Sequence, residues 1–79
     1  ELKKHDEENQ TQYMETLRVY LEQHLSATQA ARELFIHRST FLYRLDRIKE
    51  ILQSELDDPE EIFYLELSFR LLEQEQEKE

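Results

Sequence analysis

The chain has 79 residues and a formal charge of −9, with ten Lys and Arg against nineteen Asp and Glu, and it contains neither Gly nor Cys. That length holds one small domain with a thin core, and the missing residue types exclude a disulfide framework, a thiolate metal site and glycine-rich phosphate loops. No signal peptide is recognisable and no apolar run approaches the ~18–20 residues that cross a bilayer, so a reducing, cytoplasmic setting away from membranes is expected.

The opening ELKKHDEENQ is polar and expected to fray. From about Thr11 a 3.6-residue rhythm places Tyr13, Met14, Leu17, Tyr20, Leu21 and Leu25 on one side of a first helix. Ser26 then offers an N-cap, with Gln29 where a capping box needs it. A second helix over about 27–34 turns Ala30, Ala31 and Leu34 inward, and the two alanines let a neighbour approach closely. Phe35-Ile36-His37 forms a turn. A third helix over about 38–53 buries Phe41, Leu45, Ile48 and Leu52.

The plainest helix start is Asp57-Asp58-Pro59-Glu60-Glu61: Asp58 caps, Pro59 takes the first helical position, and the two glutamates favour the positive dipole end. This fourth helix runs to about Glu73 and is apolar on two sides. Ile62, Leu65, Phe69 and Leu72 form one stripe; Phe63, Leu67 and Leu71, with Tyr64 nearby, form another. One stripe completes the core. The other needs a partner or a buried position in the bundle, and Phe63, Leu67 and Leu71 are candidate dimer contacts. With no strand signal and no internal repeat, the expectation is an all-α, four-helix domain spanning 1–79.

Charge is unevenly spread. Residues 1–23 carry three basic and six acidic groups, residues 24–50 five and three, and residues 51–79 two and ten. The basic middle coincides with a short helix, a three-residue turn and a longer helix. That order describes a helix-turn-helix, whose second helix reads the DNA major groove. Counted at 100° per residue from Phe41, the positions Ser39, Tyr43, Asp46, Arg47 and Glu50 point away from the core, with Thr40 and Leu42 on the flanks. His37 and Arg38 stand at the helix start, where base edges are usually met. Arg38 is the first choice for a guanine, because its planar fork matches O6 and N7; Arg44 and Arg47 can reach phosphates. Periodicity and charge alone fit an ordinary solvated face equally well.

The run Ala30-Ala31-Arg32-Glu33-Leu34-Phe35-Ile36-His37-Arg38-Ser39-Thr40, followed by Tyr43-Arg44-Leu45 and Arg47-Ile48, resembles the C-terminal DNA-binding domain of PucR/CdaR-type bacterial regulators. The similarity extends from Thr16-Leu17 through Leu56-Asp57-Asp58-Pro59-Glu60, and the same core is similar to the Fis-type helix-turn-helix. The resemblance, to a family of activators, implies an intracellular transcriptional regulator that is sequence-specific on double-stranded DNA. It also implies base or backbone contact around His37, Arg38, Ser39, Thr40 and Tyr43, and backbone contact at Arg44 and Arg47. The Fis-like comparison adds Ser26 and Thr28 as phosphate contacts. In the family Asn often replaces Ser39, and Arg or Lys replaces Leu42 and Asp46; many such turns hold Gly where Phe35 stands.

Regulators of this kind carry upstream sensory domains, and this chain opens without Met and offers no effector pocket. It is therefore expected to be the C-terminal piece of a larger protein and to work as a homodimer. Catalysis is not expected: His5, His24 and His37 lack metal-ligand spacing, and the carboxylates have no apolar cleft to tune them. No cofactor or metal is implied. The rival reading is a helical dimerisation or protein-interaction module that has lost DNA binding, favoured by the charge of −9, by Asp46 and by the apolar excess of the fourth helix.

Overall fold

The computed structural model describes Leu2, Lys4 and residues 12–77; the start near Thr11, His5 and the last two residues lie outside the described residues. Between residues 12 and 77 the chain forms α1 (Tyr13–Glu22), α2 (Ala27–Glu33), α3 (Arg38–Leu52) and α4 (Pro59–Glu77), with no strand among the described residues.

Each of the first three helices is stopped by a left-handed residue that is not glycine. At the end of α1, His24 (φ 56°) and Leu25 (φ 65°) turn the chain sharply. The Leu25 N–H donates to the Tyr20 carbonyl at 2.9 Å and the His24 N–H to that of Leu21 at 3.1 Å, a Schellman stop that satisfies the last carbonyls. Leu25 therefore leaves the helix and is exposed, where the periodicity placed it inward. After α2, Phe35 (φ 59°) does the same: Ile36 donates to Ala31 and Phe35 to Arg32, both at 3.1 Å. Gln53 (φ 54°) closes α3. A side chain beyond glycine costs ~1–2 kcal/mol in this conformation, which the capping hydrogen bonds of each stop help to offset.

The starts are conventional. Ser26 Oγ accepts from the Gln29 N–H at 3.2 Å, while its own N–H is used by the Gln23 carbonyl at 3.1 Å, so the capping interaction runs one way. Asp58 Oδ1 accepts from the Glu60 N–H at 3.2 Å, with Pro59 at the first helical position. The fourth helix continues past Glu73 to Glu77 because Glu and Gln are good helix formers.

The core is built from Tyr13, Leu17, Val19 and Leu21 of α1, Ala30 and Ala31 of α2, and Phe41, Leu45 and Ile48 of α3, closed by Leu2 and Leu56. The alanines are buried and let α2 sit close to α3. Tyr20 and Phe41 stack tilted, with ring centroids 5.6 Å apart. Thr16 is fully buried without cost, since its hydroxyl donates to the Gln12 carbonyl at 2.8 Å. Among the described helices, the backbone of α4 approaches α1 alone. Ile62, Leu65 and Phe69 are half-buried against the core, whereas Phe63, Tyr64, Leu67 and Leu71, on the opposite side, are between 44% and 67% exposed.

Candidate nucleic-acid interface

With its buried stripe of Phe41, Leu45 and Ile48, α3 is sunk on one side only. Ser39, Thr40, Tyr43, Asp46, Arg47 and Glu50 are exposed, while Leu42, Arg44 and Lys49 are half-buried along the borders. The angular count along α3 agrees with the exposure of Ser39, Tyr43, Asp46, Arg47 and Glu50. Thr40, expected on the flank, is exposed, and Leu52, expected in the buried stripe, is half-buried at the helix end. Tyr43 keeps 64% of its surface open.

The start of α3 is electrostatically bare of acid. His37 is the N-cap, with extended backbone (φ −68°, ψ 149°) and no side-chain cap, and no Asp or Glu occupies the first turn. The partial positive charge of the helix end adds to the Arg38 guanidinium beside it. Arg38 is exposed and has no ion pair among the described residues. By contrast, Arg18 on α1 is held by Glu15 and by Glu22, the latter at 2.7 Å.

The other two arginines of α3 are anchored. Arg44 donates from Nη1 to Thr16 Oγ1 at 3.4 Å, so its stem packs beside α1 and its head marks the border between the helices. Arg47 donates from Nη1 to Glu50 Oε2 at 2.8 Å. A hydrogen bond to Tyr13, and then the Glu50 charge, raise its pKa further above the ordinary guanidinium value. An exposed intrahelical pair of this kind is weak and screened by salt, so a phosphate can displace the carboxylate. Thr16 and Tyr13 belong to α1, twenty-eight or more positions earlier in the chain, whereas Glu50 is on α3 itself. No local pattern announces Thr16 or Tyr13 as positioning groups.

At the start of α2, Ser26 is half-buried and engaged as the cap, while Thr28 is exposed. Arg32, at the other end of α2, is also exposed and has no ion pair among the described residues; the angular count, confined to α3, passed over it. No group of His, Asp and Glu with metal-holding geometry occurs among the described residues, and no helix is long and apolar enough to cross a membrane.

A short helix capped at Ser26, a left-handed turn at Phe35 and a half-sunk helix led by Arg38 define a helix-turn-helix domain. The model of the PucR C-terminal helix-turn-helix domain family matches residues 13–71. The chain is 41% identical over 58 residues to the purine catabolism regulatory protein of Bacillus subtilis (strain 168), covering 73% of this chain and 11% of that one. It is 40% identical over 57 residues to the proline-responsive transcriptional activator PutR of the same organism, covering 72% of this chain and 14% of the relative. The chain belongs to the PucR C-terminal helix-turn-helix family, and it spans about a tenth to a seventh of the length of these curated relatives. No solved structure matches it significantly.

Proposed function

We propose that the chain is a sequence-specific DNA-binding domain of a bacterial transcriptional regulator, and that α3 lies in the major groove. The observation that carries this reading is the start of α3: an exposed Arg38 without an ion pair among the described residues, on a helix terminus without acid, at the head of a helix held by a buried stripe. Arg38 reads guanine O6 and N7. His37, Ser39, Thr40 and Tyr43 meet neighbouring base edges or backbone, and Ser26, Thr28, Arg44 and Arg47 neutralise or bond phosphates. Asp46 and Glu50 lie on the same exposed face and limit affinity. They favour a register that keeps them away from phosphates.

With ~3–5 neutralised phosphates, one domain loses roughly a hundredfold in affinity between 50 and 200 mM salt. A homodimer reading two half-sites about one helical turn apart offsets this weakness. The exposed stripe on α4 supplies a self-complementary surface. In an antiparallel pair centred on Leu67, Phe63 faces Leu71 of the second copy, Tyr64 faces Arg70, and Glu60 faces Gln74. The much greater length of both relatives supports a larger regulator with a sensory domain outside this chain, and the name of one of them, a proline-responsive transcriptional activator, supports an activating role.

The deciding experiment is a duplex titration at several salt concentrations, comparing wild type with Arg38→Ala. Wild type should bind with a steep salt dependence. The variant should lose ~1–3 kcal/mol on a selected site and little on random duplex. Absence of salt-sensitive association in wild type would leave the protein-interaction module as the better account.

A further inference from the structure

Five described residues have left-handed backbone: His24, Leu25, Phe35, Gln53 and Leu56. Strain therefore does not single out any one of them. His24 and Gln53 are polar, Leu56 is buried in the core, and Leu25 still buries part of its surface. Phe35 is different. It combines the strained backbone with a large apolar ring that is 95% exposed, so the ring contributes nothing to packing. Glycine would make the same turn without strain and without an exposed aromatic. A position that the fold would give to another residue is a place to look for function.

The surroundings point to the ligand. Arg32 stands three positions before Phe35 and Arg38 three after; both are exposed and without an ion pair among the described residues. His37 follows the ring by two positions, at the bare start of α3. Glu33 is the acidic residue of this stretch. An open aromatic bracketed by unpaired guanidiniums suits a polyanion with apolar faces: the cations take phosphates and the ring takes deoxyribose, a base face or a thymine methyl. An acidic protein surface would use the arginines but gives the ring no comparable stacking partner.

We propose that Phe35, flanked by Arg32 and Arg38, extends the duplex contact of α3 back across the turn, with the ring against the sugar and base surface and Arg32 on a phosphate. The inference rests on the DNA-binding reading above and adds two residues to it. Phe35 contributes affinity without ionic character, and Arg32 contributes one phosphate.

The test uses this chain and a duplex selected by wild type, with Phe35→Gly, Phe35→Asn and Arg32→Ala. Gly and Asn tolerate the left-handed turn, so the melting temperature should stay constant or rise. Affinity of either Phe35 variant should fall about tenfold with an unchanged slope of log K against log salt. Arg32→Ala should lower that slope by about one phosphate. Wild-type affinity in folded Phe35→Gly and Phe35→Asn, with Arg38→Ala still impaired, overturns this inference and leaves the DNA-binding reading standing. A marked drop in melting temperature for both variants overturns it too, by showing that the ring supports the fold. If wild type itself shows no salt-sensitive binding, both readings fall together.

Discussion

The outer edge of α3 and the outer face of α4 are both uncovered, but they lack opposite things. The α3 edge is polar and cationic at its start, and its helix terminus has neither a side-chain cap nor an acidic neighbour. The α4 face starts behind Asp58, Glu60 and Glu61 and presents Phe63, Tyr64, Leu67 and Leu71. One surface is completed by negative charge, the other by apolar area. A small domain can therefore offer a polyanion and a protein partner two separate surfaces, and solution conditions act on them in opposite senses. On the proposed function, salt should weaken the first by restoring counterions and strengthen the second by screening repulsion between two acidic copies.

The largest effect expected is one that abolishes the contrast altogether. Phe41 is fully buried and supports both the Tyr20 ring and the α3 stripe. Phe41→Ala should cost ~3–5 kcal/mol, a large share of the stability of a domain this size, and thermal melting would show both surfaces lost together. A smaller and more selective break is Phe63→Glu. Sedimentation at moderate salt should show wild type self-associating more strongly than the variant, while DNA affinity of the isolated protomer is retained. An unchanged monomer–dimer equilibrium would remove α4 from the account of assembly.

The smallest effect is on pH dependence. Burial pushes the Tyr20 phenol above its ordinary value of 10. A folded-state pKa above the unfolded one means that stability is full below pH 10 and is lost as pH rises through the folded value. Melting temperature should thus fall more steeply above pH 10 in wild type than in Tyr20→Phe. Equal slopes would show that the ring is better solvated than its position against Phe41 implies.

How much of this was legible in advance depended on where the signal lay. The inward stripe of α3, its exposed edge and the cap at Asp58 follow from a 3.6-residue period and from local chemistry, and the structure reproduces them. The end of α1 did not announce itself, because the usual glycine is replaced by His24 and Leu25, and Leu25 kept to the apolar rhythm while leaving the helix. Thr16 belongs to a residue type that is mostly exposed, yet it is buried with its hydroxyl bonded to Gln12 and to Arg44. Such a contact spans distant parts of the chain and has no periodicity. The exposed side of α3 was legible because its residues follow one another along one helix; Ser26 and Thr28 on α2 came from the resemblance alone, and Arg32 was passed over. The anchoring of Arg44 and Arg47 by α1 was not legible.

The connections between helices cover only residues 23–26, 34–37 and 53–58. Links this short keep the closing loops between successive helices small, so little loop entropy is lost before neighbouring helices meet. Refolding after a denaturant jump should accordingly finish within about a millisecond, and stopped-flow traces with a slow major phase would contradict this. A domain that unfolds briefly would then refold faster than proteolysis or aggregation could intervene.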